Sequence, residues 1–231
     1  MLKKILSKTV TKGLYSSLKN LKAEFNIFLL HRKGLLRAYR LRSGKDLKLH
    51  LGCGHNIKKG FINVDIDKSA DLTLDLRERF PFLTGSCSLI YSEHFLEHLD
   101  YPGQAIFFLK ECYRILKPGG IFSAGVPDTE WPVRAYAEGR DRDYFRYAEK
   151  KQHPEWCVTK MEHLNYHFRQ GSQHRFAYDF ETMKYALSLV GFREVKRRDF
   201  NPALDSDEER KTGTLYIEAS KPNPASGEKA S

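Results

Sequence analysis

Apolar residues near the start of the chain fall at Leu2, Ile5, Leu6, Val10, Leu14, Leu18, Leu21, Phe25, Phe28 and Leu29. Steps of mostly three and four put them on one face of a helix, with the lysines on the other. His31 to Gly34 predicts a break before a second short helix through Tyr39. From Lys45 the pattern changes to short apolar runs alternating with helical spacing. Leu47–Leu51, Phe61–Asp65, Asp71–Leu74, Ser88–Ser92 and Ile121–Val126 predict buried strands. Between the last two, Gly103–Leu116 predicts a helix closed by Lys117-Pro118-Gly119-Gly120. The regular pattern then stops for 48 residues, Asp128 to Arg175, where eight aromatics are scattered among charges and four histidines. It resumes with Asp179 as an N-cap, Phe180–Val190 as a helix, Gly191 as its stop, and strands over Phe192–Lys196 and Gly213–Ala219. Strands alternating with helices predict a parallel sheet with helices on its faces. Lys221–Ser231, rich in Pro, Ser, Gly and Lys, reads as a disordered tail.

A chain of 231 residues, 41% hydrophobic and 29% charged, suits one domain with appendages. We divide it into a basic arm, 1–44, a body, 45–220, with an insert at 128–175, and the tail, 221–231. Net charge is +10, but residues 1–48 hold 13 basic side chains against two acids, and the remainder holds 26 against 27. The excess belongs to the arm, which disfavours a body that coats nucleic acid. The arm itself admits three readings: a packed helix with solvated charges, an RNA-docking element, or an interfacial helix. On anionic lipid each basic residue contributes about 1 kcal/mol. Four cysteines without a CxxC pair predict a reducing, cytosolic compartment. Lysines interrupt the apolar stretch behind Lys3 and Lys4, so export is not expected.

The chemistry begins at His50-Leu51-Gly52-Cys53-Gly54, directly after the first strand. Paired glycines at a strand's carboxyl end let a ligand approach the backbone closely. The next strand ends in Asp65, where a carboxylate can accept both hydroxyls of a ribose. The connection His55–Gly60 is too short for a crossover helix, which disfavours a phosphate cradle at a helix N-terminus. A nucleoside ligand without a pyrophosphate fits both features.

Over Leu47–Pro127 the chain resembles the class I S-adenosylmethionine-dependent methyltransferases. LHLGCG is similar to the family's first glycine motif, FINVDID to the strand carrying the ribose acid, and DLTLDLRERFPF to the stretch that meets adenine. CSLIYSEHFLEHL is similar to the fourth motif, and RILKPGG with IFSAGVPD to a helix end and fifth strand. In particular the chain resembles a bacterial subgroup reading GCGxxxxxGxxNVD, commonly associated with surface-polysaccharide genes. YDFETMKYALSLVGF and TLYIEASK resemble the closing helix and strands. The resemblance implies a Rossmann-like α/β fold, its sheet mostly parallel with an antiparallel last strand, and S-adenosyl-L-methionine as cofactor. It implies further that Gly52, Cys53 and Gly54 touch the methionine moiety, Asp65 binds the ribose and Asp75 and Leu76 flank adenine. Ser92, Glu93 and His94 would line the cofactor's amino-acid end and open toward the acceptor. Two positions depart from the family: His50 stands where it usually has Asp or Glu, leaving the cofactor's ammonium to Glu93 or a water, and Ser88 where it usually has Asp.

Methyl transfer to a hydroxyl needs a group that takes its proton. His98, His94 and Asp128 near the strand ends are the candidates, with His163, His167 and His174 in the insert. His94 with His98, and His163 with His167, are four apart and are expected to share helix faces. No third ligand follows at metal spacing, so no metal is assigned. The insert aromatics read first as core, and also suit a sugar face. The expected function is O-methylation of a sugar in a glycan or glycolipid by a cytoplasmic protein whose residues 1–43 rest on the anionic inner membrane surface. The alternatives are an RNA or protein methyltransferase docked by the arm, and a non-catalytic module of the same fold.

Overall fold

The computed structural model describes residues 11–40, 44–138, 142–151, 153–205 and 208–223. Leu2, Ile5, Leu6 and Val10 of the amphipathic pattern, and residues 224–231 of the expected tail, lie outside the described residues. Helix α1 (Lys12–Ala38) is capped by Thr11, whose side chain accepts the Leu14 N–H. The expected break at His31–Gly34 is absent, and α1 runs straight through it. Gly34 serves close packing instead: a Cβ there would sit 2.0 Å from the Thr73 carbonyl oxygen. One turn earlier, the Leu30 carbonyl accepts the Thr73 hydroxyl at 3.1 Å. Glycine in a helix interior costs about 1 kcal/mol, which the close contact offsets here. Gly34→Ala is therefore expected to destabilise the protein by about 1–3 kcal/mol through overpacking. Thermal unfolding checks this, and an unchanged midpoint would mean the helix docks without that approach.

Seven strands form one sheet: β1 (Leu47–Leu51), β2 (Ile62–Asp65), β3 (Leu72–Thr73), β4 (Cys87–Glu93), β5 (Leu116–Pro127), β6 (Arg193–Arg197) and β7 (Thr214–Ser220). Their order is β3-β2-β1-β4-β5-β7-β6, and only the pairings of β7, with β5 and β6, are antiparallel. Every expected strand is present within a few residues. The order reverses between β1 and β4, so their carboxyl ends open the crevice where ligands bind in open α/β sheets.

Alternation along the strands sets the two faces. Leu49, Ile90 and Phe122 sit side by side and join α1, α2 (Gly103–Ile115) and α6 (Phe180–Val190) in the apolar core. Asp179 caps α6 by accepting the Thr182 N–H at 2.8 Å, and Gly191 ends it at φ 114°, as the sequence predicts. His50, Asn63, Tyr91 and Ser123 pair across the other face. Loops roof that face: Lys58 Nζ lies 4.7 Å over the Tyr91 ring, and the Asp205 carboxylate accepts the Tyr91 hydroxyl. The insert folds as α3 (Glu130–Glu138), α4 (Arg142–Lys151) and α5 (Lys160–Arg169) around a small core of Ala135, Tyr144 and Ala148. Among the described residues no helix is long and apolar enough to cross a membrane.

Candidate active site

The glycine turn leaves β1 with Gly52 at φ 71° and Gly54 at φ 50°. Gly52 lies under the Phe95 ring, 2.4 Å from where its Cβ would be, while nothing lies within 4 Å of a Cβ on Gly54. The first glycine admits an aromatic lid and the second leaves open space at the strand end. Asp65 ties the turn to β2: its Oδ2 accepts the Gly54 N–H at 2.8 Å and its Oδ1 accepts the Asp67 N–H at 2.9 Å. Each oxygen keeps a free lone pair for a ligand hydroxyl. At the end of β4, Ser92 is buried and its hydroxyl has no partner, and Glu93 is buried with Oε1 accepting the Tyr216 hydroxyl at 3.1 Å. An open glycine and a half-buried carboxylate at the ends of β1 and β2, with an orphaned hydroxyl at the end of the adjacent β4, fit a nucleoside with a polar tail.

His50 is buried, with Nδ1 3.3 Å from the Asn63 side-chain oxygen and its ring against Tyr91. Burial, with the Lys58 charge, lowers its pKa to about 4, so it is neutral at neutral pH and offers no negative charge. Glu93 and Asp205 are both buried acids near this face, Asp205 accepting the Tyr91 hydroxyl and Glu93 the Tyr216 hydroxyl. Ser88 stands at the other end of β4, donating to the Asp46 and Leu47 carbonyls, and is a strand-pairing residue. Asp75 is held by Arg77 through Nε and Nη2, and Arg77 reaches on to Glu24 of α1. Burial alone would raise the Asp75 carboxyl, but the Arg77 hydrogen bonds and charge hold it below its ordinary value. Its backbone N–H donates to His31 Nδ1, so α1 forms a wall beside Asp75, and Leu76 is packed in the core.

Beyond the strand ends a cavity of about 240 Å³ opens between the sheet and the insert, lined by His94, Glu97, His98, Trp131, Tyr147 and His174 among others. His94 occupies the left-handed region at φ 51°, a strained position of the kind that clusters at functional sites. Its Nδ1 lies 3.2 Å from Glu97 Oε1 and its Nε2 lies 3.0 Å from Thr214 Oγ1. Burial would raise the Glu97 carboxyl, yet the hydrogen bond from His94 and the His94 and His98 charges hold it below its usual value. Thr214 Oγ1 donates its own proton to the Arg210 carbonyl at 2.7 Å, so it faces His94 Nε2 as an acceptor. The second Glu97 oxygen is buried without a partner.

Among the sequence candidates, His94, His98, His167 and His174 line this cavity and Asp128 does not. Asp128 Oδ1 accepts the Glu130 N–H two residues on, an Asx turn that leads into α3. His94 and His98 share no helix face, because a tight turn, Leu96–His98, follows His94. His98 is exposed and its Nδ1 donates to the Gln173 carbonyl, while His167 donates to the Asp128 carbonyl and His174 to the His167 carbonyl. These histidines pin the insert to the sheet. His163 turns away, its Nδ1 2.9 Å from His153 Nδ1. Glu97 is the residue that the sequence did not single out. Its spacing of three from His94 is the only signal, and it gains meaning once the turn is known.

Burial also lowers His167 to about 4, chiefly by desolvation and next by the His153 charge. Unfolded histidine takes up a proton near 6.5, so between about 6.5 and 4 the unfolded chain binds more protons than the folded one. Stability should fall as pH drops through that window and level off below it as far as His50 and His167 contribute. Melting curves at steps from pH 7 to 4 test this, with a shallower fall expected in His50→Asn.

Residues 49–124 match the family model described as a methyltransferase domain. Comparison with curated proteins finds no match. Similar solved structures include a SAM-dependent methyltransferase from Archaeoglobus fulgidus, 19% identical, covering 83% of this chain and 94% of that one, with a TM-score of 0.48. They also include a SAM-dependent methyltransferase, possible histamine N-methyltransferase, from Thermotoga maritima, 19% identical, covering 87% and 95%, TM-score 0.43. A third, an S-adenosylmethionine-dependent methyltransferase from Mesorhizobium loti, is 17% identical, covering 78% and 92%, TM-score 0.46. The matched segment runs from β1 into β5 and holds the glycine turn, Asp65 and the His94–Glu97 pair. Residues 49–124, laid out on a Rossmann-like sheet, are thus similar to a methyltransferase domain.

Proposed function

We propose that the protein methylates a hydroxyl of a sugar in a glycan or glycolipid, with His94 as the base and Glu97 as the group that holds it. The observation that carries this reading is the His94–Glu97 pair, both residues lining a cavity that Trp131 and Tyr147 also line. Bound S-adenosylmethionine supplies an electrophilic methyl group. His94 receives the hydroxyl proton at Nε2 as the oxygen becomes a nucleophile, and the Glu97 carboxylate stabilises the imidazolium that results. Nε2 now rests on Thr214 Oγ1; an acceptor hydroxyl would take over that contact, with the Glu97 carboxylate holding the single His94 proton on Nδ1. Gly54 and Asp65 hold the nucleoside side, and Ser92 and Glu93 the amino-acid side. Aromatic faces beside polar groups suit the apolar and hydroxyl-bearing sides of a sugar ring.

The arm supports a place of work. Leu14, Leu18, Leu21, Phe25 and Phe28 of α1 are all exposed, at steps of three and four, with Lys19 and Lys22 nearby. Such a face suits an anionic lipid surface where lipid-linked glycans are met. The test is formation of S-adenosylhomocysteine by the full chain with a panel of sugars, lipid-linked glycans, RNA and peptides, beside co-sedimentation with anionic vesicles. Turnover with glycan acceptors and loss of sedimentation in Leu18→Glu/Phe25→Glu support the reading. Turnover with RNA or peptide alone replaces it, and cofactor binding without any turnover favours a non-catalytic module.

A further inference from the structure

We propose that His153, Cys157 and His163 form a zinc site that ties the insert together, independently of methyl transfer. One ligand atom from each of the three lies within 4.8 Å of the others. The two Nδ1 atoms face each other at 2.9 Å. Around a tetrahedral zinc with bonds of about 2.0 to 2.3 Å, neighbouring donors stand about 3.3 to 3.7 Å apart, so small adjustments bring all three to one ion. Two imidazoles and a thiolate are the donor set zinc prefers. A spacing of four and six residues places the first two on the loop after α4 and the third in the first turns of α5.

The surroundings favour a metal over a plain histidine pair. Cys157 and His163 are 7% and 3% exposed while His153 is half-buried at the cavity, so two ligands are held inside the insert and the third faces an open position. Thr159 and Glu162 form a capping box at the start of α5 and fix the loop between the ligands. Among the described residues the insert's apolar core is small: Ala135, Tyr144 and Ala148, with Trp131 and Phe145 packed against them. Small cores of this kind are commonly stapled, and a structural ion is one such staple. On binding, the Cys157 thiol gives its proton to solvent as the metal–sulfur bond forms. The imidazoles bind through neutral nitrogen lone pairs, and water fills the fourth position. His153 and Tyr166, one turn after His163, line the acceptor cavity, so the ion would set that wall.

The test uses the full chain stripped of metal and titrated with zinc, and with cobalt as a spectroscopic probe. We expect about one zinc per chain, a near-ultraviolet thiolate-to-cobalt band, and alkylation of Cys157 slowed at least tenfold by zinc. His153→Gln and Cys157→Ser should each weaken binding tenfold or more, and Cys157→Ser should lose the band. Wild-type protein that is folded by circular dichroism yet binds no zinc, or alkylates at the same rate with and without it, overturns the site. Zinc retained at full affinity by both variants places the ion elsewhere and overturns it equally. If a variant fails to fold, the wild-type cobalt spectrum and alkylation rate still decide.

Discussion

Replacing Asp65 by Ala is expected to weaken S-adenosylmethionine binding by about 100-fold or more while the chain remains folded. A charged hydrogen bond contributes about 1.5 to 3 kcal/mol, and two lost to a ribose amount to about two powers of ten or more. Asp65 also accepts the N–H groups of Gly54 and Asp67, so part of the loss will come from a loosened glycine turn. The two contributions separate with a cofactor analogue lacking the ribose 2′-hydroxyl. Wild-type protein should bind the analogue more weakly than the intact cofactor, whereas Asp65→Ala should bind both alike, because the partner of that hydroxyl is gone. Calorimetry on both proteins, with a thermal melt to verify folding, provides the measurement. Equal affinity of wild type and variant for intact cofactor would remove Asp65 from the site.

The parts of this site written in local pattern were legible from the sequence. Gly52 and Gly54 follow β1 at positive φ and Asp65 closes the next strand and accepts the Gly54 N–H, so short-range order alone put them together. Asp179 and Gly191 marked α6 for the same reason. Gly34 misled, because a glycine in a helical pattern reads as a break, and only the distant Thr73 carbonyl reveals that it marks a close contact. Asp75 was read as an adenine neighbour, and its carboxylate is engaged by Arg77, with Glu24 of a helix some fifty residues away behind it. Asp128 looked like a base because it follows a strand, while what it does depends on the helix that starts two residues later. In the insert the aromatics were read as core, and Trp131, Tyr144 and Phe145 do pack together, but its histidines were opaque. Its histidines carry no local signature, and their partners, a carbonyl at Asp128 and one another, come from the folding of three helices.

His94→Ala is expected to lower kcat for a hydroxyl acceptor by about 100- to 10,000-fold, the range for loss of a positioned base, with little change in cofactor affinity. Glu97→Gln carries the sharper test. An amide in place of the carboxylate can donate to Nδ1, which moves the imidazole proton to Nε2 and removes the lone pair from the cavity. Shape and hydrogen bonding survive, so kcat should fall nearly as far as in His94→Ala, and combining the two should cost little more, since groups that act as a unit are not additive. A purely structural Glu97 predicts otherwise: a lower melting temperature with kcat nearly intact. His98→Ala should keep most of its turnover, because His98 is exposed and its Nδ1 is bound to the Gln173 carbonyl. The three variants thus assign different roles to three neighbouring residues. Full turnover in His94→Ala would mean that the acceptor needs no base, as for an already deprotonated nitrogen or sulfur nucleophile, and would move the reaction away from hydroxyl groups altogether.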